Sequence, residues 1–287
     1  AATLSGTATV SALGSDVVSI TGTGVGAFSD KNVGTNKVVT VTGYSLTGSD
    51  AGNYNLIQPT GLTATISKAD LSVTGVSASN KTYDATTIAT LSGTATVSAL
   101  GSDVVSVTGT GVGAFSDKNV GTNKVVTVTS YSLTGSDAGN YNLIQPTGLT
   151  ATISKANLNV AGVSASNKTY DTTTAATLSG TATVSALGSD VVSITGTGVG
   201  TFSNKNAGTN KAVTVTGYSL TGSDAGNYNL VQPTGLTATI NKADLSMAGV
   251  SASNKTYDTT TAATLSGTAT VSALGSDVVS ITGTGVG

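Results

Sequence analysis

The sequence contains no histidine, cysteine or tryptophan, and every charge is a lysine or an aspartate, because neither arginine nor glutamate occurs. Without imidazole or thiol the chain lacks the usual general bases and soft metal ligands, and without guanidinium it lacks the bidentate clamp for phosphate. This argues against most enzyme classes, and no cofactor is implied. The missing cysteines also exclude a disulfide framework. Charge is scarce, at 9% of 287 residues with a formal net value of −2. Nucleic acid and anionic lipid both require clustered basic residues, so neither is an expected partner. No run of 18 apolar residues exists, and no membrane insertion is expected of this segment. The chain begins at Ala1 without a basic or apolar leader, so any export signal is expected outside it.

What is present describes a folded repeat protein. The hydrophobic fraction is 38% and the mean hydropathy +0.19, whereas disorder requires low hydrophobicity with high charge. Lys-Thr-Tyr-Asp occurs at Lys81–Asp84, Lys168–Asp171 and Lys255–Asp258, and Asn-Tyr-Asn-Leu begins at Asn53, Asn140 and Asn227, each with a period of 87. Residues 2–68 and 89–155 differ only at Ile20/Val107 and Gly43/Ser130. The reading is a partial module over 1–68, complete modules over 69–155 and 156–242, and a partial module over 243–287, taken from a longer array.

Within a module the apolar pattern has period two. Ala89, Leu91, Gly93, Ala95, Val97 and Ala99 alternate with Thr90, Ser92, Thr94, Thr96 and Ser98, the pattern of a half-buried strand. Further strands are expected over 71–76, 104–110, 124–133, 140–145 and 149–154, which are rich in Val, Ile, Thr or Tyr. Turn residues at 101–103, 119–123, 135–137 and 145–148 separate them. The expected fold is all-β: tandem antiparallel β-sandwich modules of Ig-like size, with a β-grasp or another small all-β module as the alternative. Apolar exchanges at Ile20/Val107/Ile194, Ile57/Ile144/Val231 and Val73/Val160/Met247 mark expected core positions. The modules join near Lys68, Lys155 and Lys242 without a flexible spacer, which points to an elongated rod on the order of 100 Å.

Several clusters invite chemistry. Lys81 and Asp84 offer the components of a Lys–Asp isopeptide cross-link, against an ordinary reading in which Tyr83 packs, Lys81 reaches solvent and Asp84 binds the following turn. Residues 116–119 and 135–140 carry oxygen ligands for Ca²⁺ but lack acidic alternation, and Asp30 and Asp117 become Asn204 in the third copy. Asx turns account for them more simply. Thr-Gly-Thr-Gly-Val-Gly at 108–113 has no following helix or Lys-Ser/Thr pair to hold phosphate, so its glycines are read as a bulge or a close approach. Thr pairs such as Thr94/Thr96 and Thr150/Thr152 are isolated, unlike the ranks of an ice-binding surface. Tyr131, Tyr141 and the adjacent Asn140 are the candidate ligand-facing residues, although each copy also needs its few aromatics for packing.

The ordered motifs Asn-Lys-Thr-Tyr-Asp-x-Thr-Thr, Ala-Thr-Leu-Ser-Gly, Asp-Lys-Asn-Val-Gly-Thr, Gly-Asn-Tyr-Asn-Leu and Leu-Thr-Ala-Thr-Ile-Ser-Lys run through essentially the whole chain. This combination resembles the YDG-type repeat of large bacterial surface and secreted adhesins, including filamentous haemagglutinin-like proteins. One departure stands out: the Gly that usually follows Tyr-Asp is Ala85, Thr172 and Thr259 here. The resemblance implies an extracellular all-β stalk or passenger region with no catalytic residues to carry over. The expected function is a structural spacer of an adhesin, whose partners are the neighbouring modules of the same chain. The alternative is an array that binds host or bacterial surface glycans weakly and gains avidity.

Overall fold

The computed structural model describes residues 1–285 and is all-β. The helical elements among these residues are the short 3₁₀ turns Ala51–Asn53, Ala138–Asn140 and Ala225–Asn227. Two compact units form. One comprises Ala1–Lys81, Thr87–Asp117 and Asn123–Thr152; the other comprises Thr82–Thr86, Lys118–Thr122 and the chain from Ile153 onward.

Within the second unit, the copy that begins at Ala156 shows how the sequence folds. Its strands are β1 (Ala156–Asn159), β2 (Ala161–Ala165), β3 (Lys168–Thr169), β4 (Ala175–Ala176), β5 (Leu178–Thr183) and β6 (Ser193–Thr195). They continue as β7 (Val199–Phe202), β8 (Gly208–Thr216), β9 (Ser219–Thr221), β10 (Tyr228–Val231) and β11 (Thr237–Asn241). The main sheet has the order β3-β11-β8-β7-β4, and the pairs β2–β5, β6–β9 and β1–β10 complete the copy.

Period-two alternation places the core. On β8, Val213 and Val215 are buried while Ala212, Thr214 and Thr216 face outward. Phe202 from β7 and Ala238 and Ile240 from β11 close around the two valines, with Tyr170, Leu178, Tyr218 and Leu236 at the margin. Burial of each large side chain stabilises the copy by about 1.5–3 kcal/mol. In the first unit the equivalent layer contains Val39 and Val41 on Gly34–Thr42, which pairs with Val25–Phe28 and Thr63–Ile66. Phe115, Val126, Val128 and Tyr141 are buried in the same way.

Antiparallel pairing accounts for most ladders. Among the described residues, two ladders of this copy are parallel: β1 with β10, in register from Ala156↔Tyr228 to Asn159↔Val231, and β3 with β11. Parallel strands need a long crossover. Here the intervening chain of the copy supplies it, bringing the first strands back beside the last.

The long alternating stretches break into shorter strands at defined residues. The 124–133 stretch divides into Gly121–Thr129 and Ser132–Thr134 at Ser130, whose φ is 74°. The stretch beginning at Ala89 divides between Ile88–Ala89 and Leu91–Thr96, which pair with different partners. Where β2 meets β5, Gly162 and Gly180 approach so closely that a Cβ on Gly180 would lie 2.1 Å from the Gly162 carbonyl oxygen. The register shifts there, a bulge that only glycine accommodates.

Of the expected core positions, Val73 and Val160 are buried, and Ile20, Val107, Ile194 and Val231 are half-buried. Ile57 and Ile144 are exposed instead, at 83% and 38%. Ile144 lies on the same strand as buried Tyr141, an odd number of residues along, so it points to the opposite face. Met247 is also exposed: it pairs with Val271, but among the described residues it has no second neighbour equivalent to the β10 strand that flanks Val160.

The residue after Tyr-Asp retains a glycine conformation without being glycine. Ala85, Thr172 and Thr259 have φ of 62°, 68° and 67°, and a β-branched residue is a real outlier there. Thr172 is expected to cost about 1–2 kcal/mol in this conformation; its side chain is half-buried and occupies the space that a side chain on Gly275 would need. Thr172→Gly should therefore stabilise the second unit by about 0.5–1 kcal/mol after the entropy of glycine is subtracted. Thermal unfolding checks this: a lowered midpoint would show that the Thr172 side-chain contact outweighs the backbone strain.

Candidate functional site at the repeat junctions

The densest polar cluster lies inside the second unit, where loops of the copy 69–155 meet the copy 156–242. Its centre is Asp190, whose side chain is fully shielded from solvent. Tyr83 and Tyr228 donate their hydroxyls to Asp190 Oδ2 at 2.6 and 2.7 Å. Lys118 Nζ donates to Oδ1 and lies 3.3 Å from Asp224 Oδ1. The Leu187 N–H donates to the Tyr228 hydroxyl at 2.9 Å, and the Val191 N–H to Asp224 Oδ2 at 3.0 Å. Each strong group is thereby paired, the condition under which buried charge is tolerated.

The sequence builds this cluster from turns and strand ends. Tyr83 follows β-strand residues Lys81–Thr82, and its ring is almost fully buried. It meets the Tyr228 ring edge-to-face at 5.4 Å and 78°, a favoured aromatic geometry. Asn227, in the 3₁₀ turn before β10, accepts the Val120 N–H at 2.9 Å and donates to Asn119 Oδ1 at 3.1 Å. These bonds join main-chain and side-chain groups of one copy to an amide of the next.

The design recurs. In the first unit Lys31 Nζ lies 2.5 Å from Asp103 Oδ1 and 2.9 Å from Asp137 Oδ1, Tyr141 donates to Asp103, and Asn140 accepts the Val33 N–H. In the second unit Lys205 and Tyr170 both reach Asp277. The lysine and Tyr83-type bonds to the shared aspartate span 72 and 107 residues and link one copy to its successor within a unit, whereas the Tyr141 and Tyr228 bonds, 38 residues long, hold the same aspartate inside its own copy.

Electrostatics follow from this packing. Burial raises the pKa of Asp190, but Lys118 and the two tyrosine hydroxyls outweigh it and hold the carboxyl below its ordinary range. Asp277 is lowered by Lys205 and Tyr170. Burial, reinforced by Asp190, raises Tyr83 and pushes Tyr228 up to about 12. Lys118 is raised, chiefly by its bond to Asp190. The aspartate contribution is present above the unfolded pKa near 3.9 and is lost as pH falls through the lower folded values. The Lys and Tyr contributions are present below about pH 10 and are lost as pH rises through the higher folded values. The thermal midpoint should therefore hold between about pH 5 and 9 and drop on both sides; a midpoint that rises below about pH 4 contradicts these assignments.

The residues singled out in the sequence take other places. Tyr141 is 4% exposed, its hydroxyl donates to Asp103 and accepts from the Leu100 N–H, so the expectation of a ligand-facing ring is corrected: the residue serves packing and the junction. Asn140 likewise spends its amide on Val33 and Asn32. Tyr131 is half-buried, with its ring over Gly111, where a Cβ would fall 2.5 Å from the ring. The glycine-rich 108–113 stretch thus admits a side chain of its own copy, where a bulge or a close approach between sheets or modules was expected. Tyr131, Leu133, Gly139 and Gln145 line a shallow open depression with the edge of Tyr141, and Tyr218, Leu220, Gly226 and Gln232 line its counterpart.

Lys81 donates to the Ile88 carbonyl at 2.9 Å and lies over the Phe115 ring. In the equivalent pair, Lys168 Nζ is 2.7 Å from Asp171 Oδ1, and this bond holds the Asp171 pKa at about 2. Asp84 accepts from the Thr86 N–H and hydroxyl, the Asx arrangement expected of it. The two candidate Ca²⁺ loops have their carboxylates engaged: Asp117 by Lys124 at 2.7 Å through both oxygens, and Asp137 by Val104 and Lys31.

The junction itself was not singled out by sequence reasoning. Its signal was available: Asp16, Asp103, Asp190 and Asp277 are unchanged in four copies, and Lys31, Lys118 and Lys205 in three, while the neighbouring Asp30 and Asp117 give way to Asn204.

Comparison with known proteins bears on this repeated architecture. No curated protein matches the chain, and no solved structure matches it. The family model described as YDG domain matches three times, over residues 1–62, 67–149 and 154–235. With its tandem copies covering most of its length, the chain belongs to the YDG domain family.

Proposed function

We propose that this chain is a spacer: a segment of a repetitive bacterial adhesin stalk, outside the cell, that holds a distal binding region away from the surface and so supports adhesion. The observation that carries this reading is the Asp190 cluster, which draws Tyr83 and Lys118 from one copy and Tyr228 and Asp224 from the next. A side-chain staple between successive copies suits an array whose task is to keep its modules in fixed order. The composition supports the same reading, since Thr, Ser, Asn and Gly cover the outward strand faces and the carboxylates described above are engaged in structure.

A second reading, weak glycan binding by each repeat, draws on the depression lined by Tyr131 and its counterpart lined by Tyr218. A glycan array probed with the purified chain separates the two. The spacer reading expects no binding. Binding that Tyr131→Ala abolishes, without a change in melting temperature, would instead favour the glycan reading.

A further inference from the structure

We infer that each copy is a mechanical clamp, its first and last strands placed so that tension along the chain loads hydrogen-bonded ladders in shear. The inference rests on strand topology and holds whether or not the array serves as an adhesin stalk.

Tension enters the copy 156–242 through Lys155 at β1 and leaves through Lys242 after β11. β1 runs parallel to β10, with Ala156 opposite Tyr228 and Asn159 opposite Val231. β10 continues into β11 through residues 232–236. A pull on the leading end of β1 and on the trailing end of β10 and β11 therefore drags β1 and β10 in opposite senses along their own axes. The rungs of that ladder carry the load together. In an antiparallel pair pulled open from its end, the rungs instead break in succession, each under the full load.

A second parallel pair stands behind the first. When β1 slides away, tension passes along the chain to β3, which is parallel to β11 with Lys168 opposite Ile240 and Thr169 opposite Asn241. The Tyr170 N–H extends this contact to the Asn241 carbonyl at 2.9 Å. The first ladder is shielded from competing water: Ala156, Leu158, Val160 and Tyr228 are buried along it, and the Val160 N–H donates to the Val231 carbonyl at 3.0 Å. Hydrogen bonds in such surroundings are stronger than exposed ones. On the shorter second ladder Ile240 is buried, while Thr169 and Asn241 are exposed. The preceding copy repeats the device in the first unit: Ala69–Ser72 is parallel to Tyr141–Ile144, with Leu71, Val73 and Tyr141 buried and Asn142 donating to Asp70 at 3.2 Å.

The absence of cysteine makes the test direct, because introduced cysteines are unique attachment points in the full chain. Lys155→Cys with Lys242→Cys loads the copy through its ends. Ser203→Cys with Lys242→Cys loads the start of β8 against the end of β11, where Gly208 faces Ile240 in antiparallel register, and so peels the sheet. All three sites are exposed. At one pulling rate, end-to-end loading should rupture at a force at least about twofold above peeling, since forced unfolding reports the barrier and not the equilibrium. End-to-end rupture should release roughly 300 Å of contour, less the folded span. Equal or lower force end-to-end overturns the inference.

Two variants separate the clamp from general stability. Leu178→Ala, on β5, lowers equilibrium stability but should leave the end-to-end force nearly unchanged. Val160→Pro removes a rung of the first ladder and should lower it. If force instead falls in proportion to stability in both, the clamp is refuted.

Discussion

Asp190→Ala is expected to destabilise the second unit by about 3–5 kcal/mol, the range found when one partner of a buried ion pair is removed. The cost arises from what remains: Lys118 keeps its charge with Asp224 as its one carboxylate in the cluster, and the hydroxyls of Tyr83 and Tyr228 lose their common acceptor. Asp117→Asn provides the contrast. Asp117 is half-exposed and pairs with Lys124 at the surface, where an ion pair contributes about 0–1 kcal/mol. The third copy already carries this change, as Asn204, and Lys211 still binds it at 2.5 Å. Denaturant titration of both variants should show a large loss for the first and almost none for the second. Equal losses would mean that the Asp190 cluster contributes no more than a surface pair. A Tyr83→Phe/Asp190→Asn double-mutant cycle adds specificity, with an expected coupling of about 0.5–3 kcal/mol between residues of successive copies.

Phe202→Ala should be comparably severe, at about 3–5 kcal/mol, for a different reason. Phe202 is 2% exposed and packs against Val213, Val215, Ala238 and Ile240 from two neighbouring strands. Its loss leaves a cavity at the centre of one copy's main sheet, and the Lys168 ammonium 5.6 Å from the ring centroid loses its aromatic face. Hydrogen exchange distinguishes this from the junction variant. Phe202→Ala should open β7, β8 and β11 together. Asp190→Ala should first expose the loops around Tyr83 and Val120 while the sheet stays protected. Protection lost from the same amides in both variants would contradict separate roles for core and junction.

The fold was largely legible in the sequence because strand burial obeys a period of two. Val213 and Val215 alternate with Thr214 and Thr216, and their burial follows that pattern. Turn residues marked most strand ends. The break at Ser130, inside the stretch expected as one strand over 124–133, was not marked, because a serine there hides the positive-φ position that Gly43 and Gly217 hold in the other copies. The parallel pairing of β1 with β10 was not legible, because alternation reports which face a residue takes and says nothing of its neighbour across the sheet. The Asp190 cluster was hidden for a related reason. Gly-Ser-Asp and Asp-Lys-Asn each satisfy the local requirements of a turn, and the bonds between them connect residues 72 apart in an array whose period is 87. Tyr141 shows the converse: an aromatic beside asparagines resembles a glycan platform, yet in the fold its hydroxyl completes a junction.

The spacer account is tested most directly by the radius of gyration of the full chain from small-angle scattering. An extended array about 100 Å long, stapled at each junction, predicts a value of roughly 30 Å or more. A chain of this length collapsed into a single globule would give about 19 Å, and that result would contradict the account.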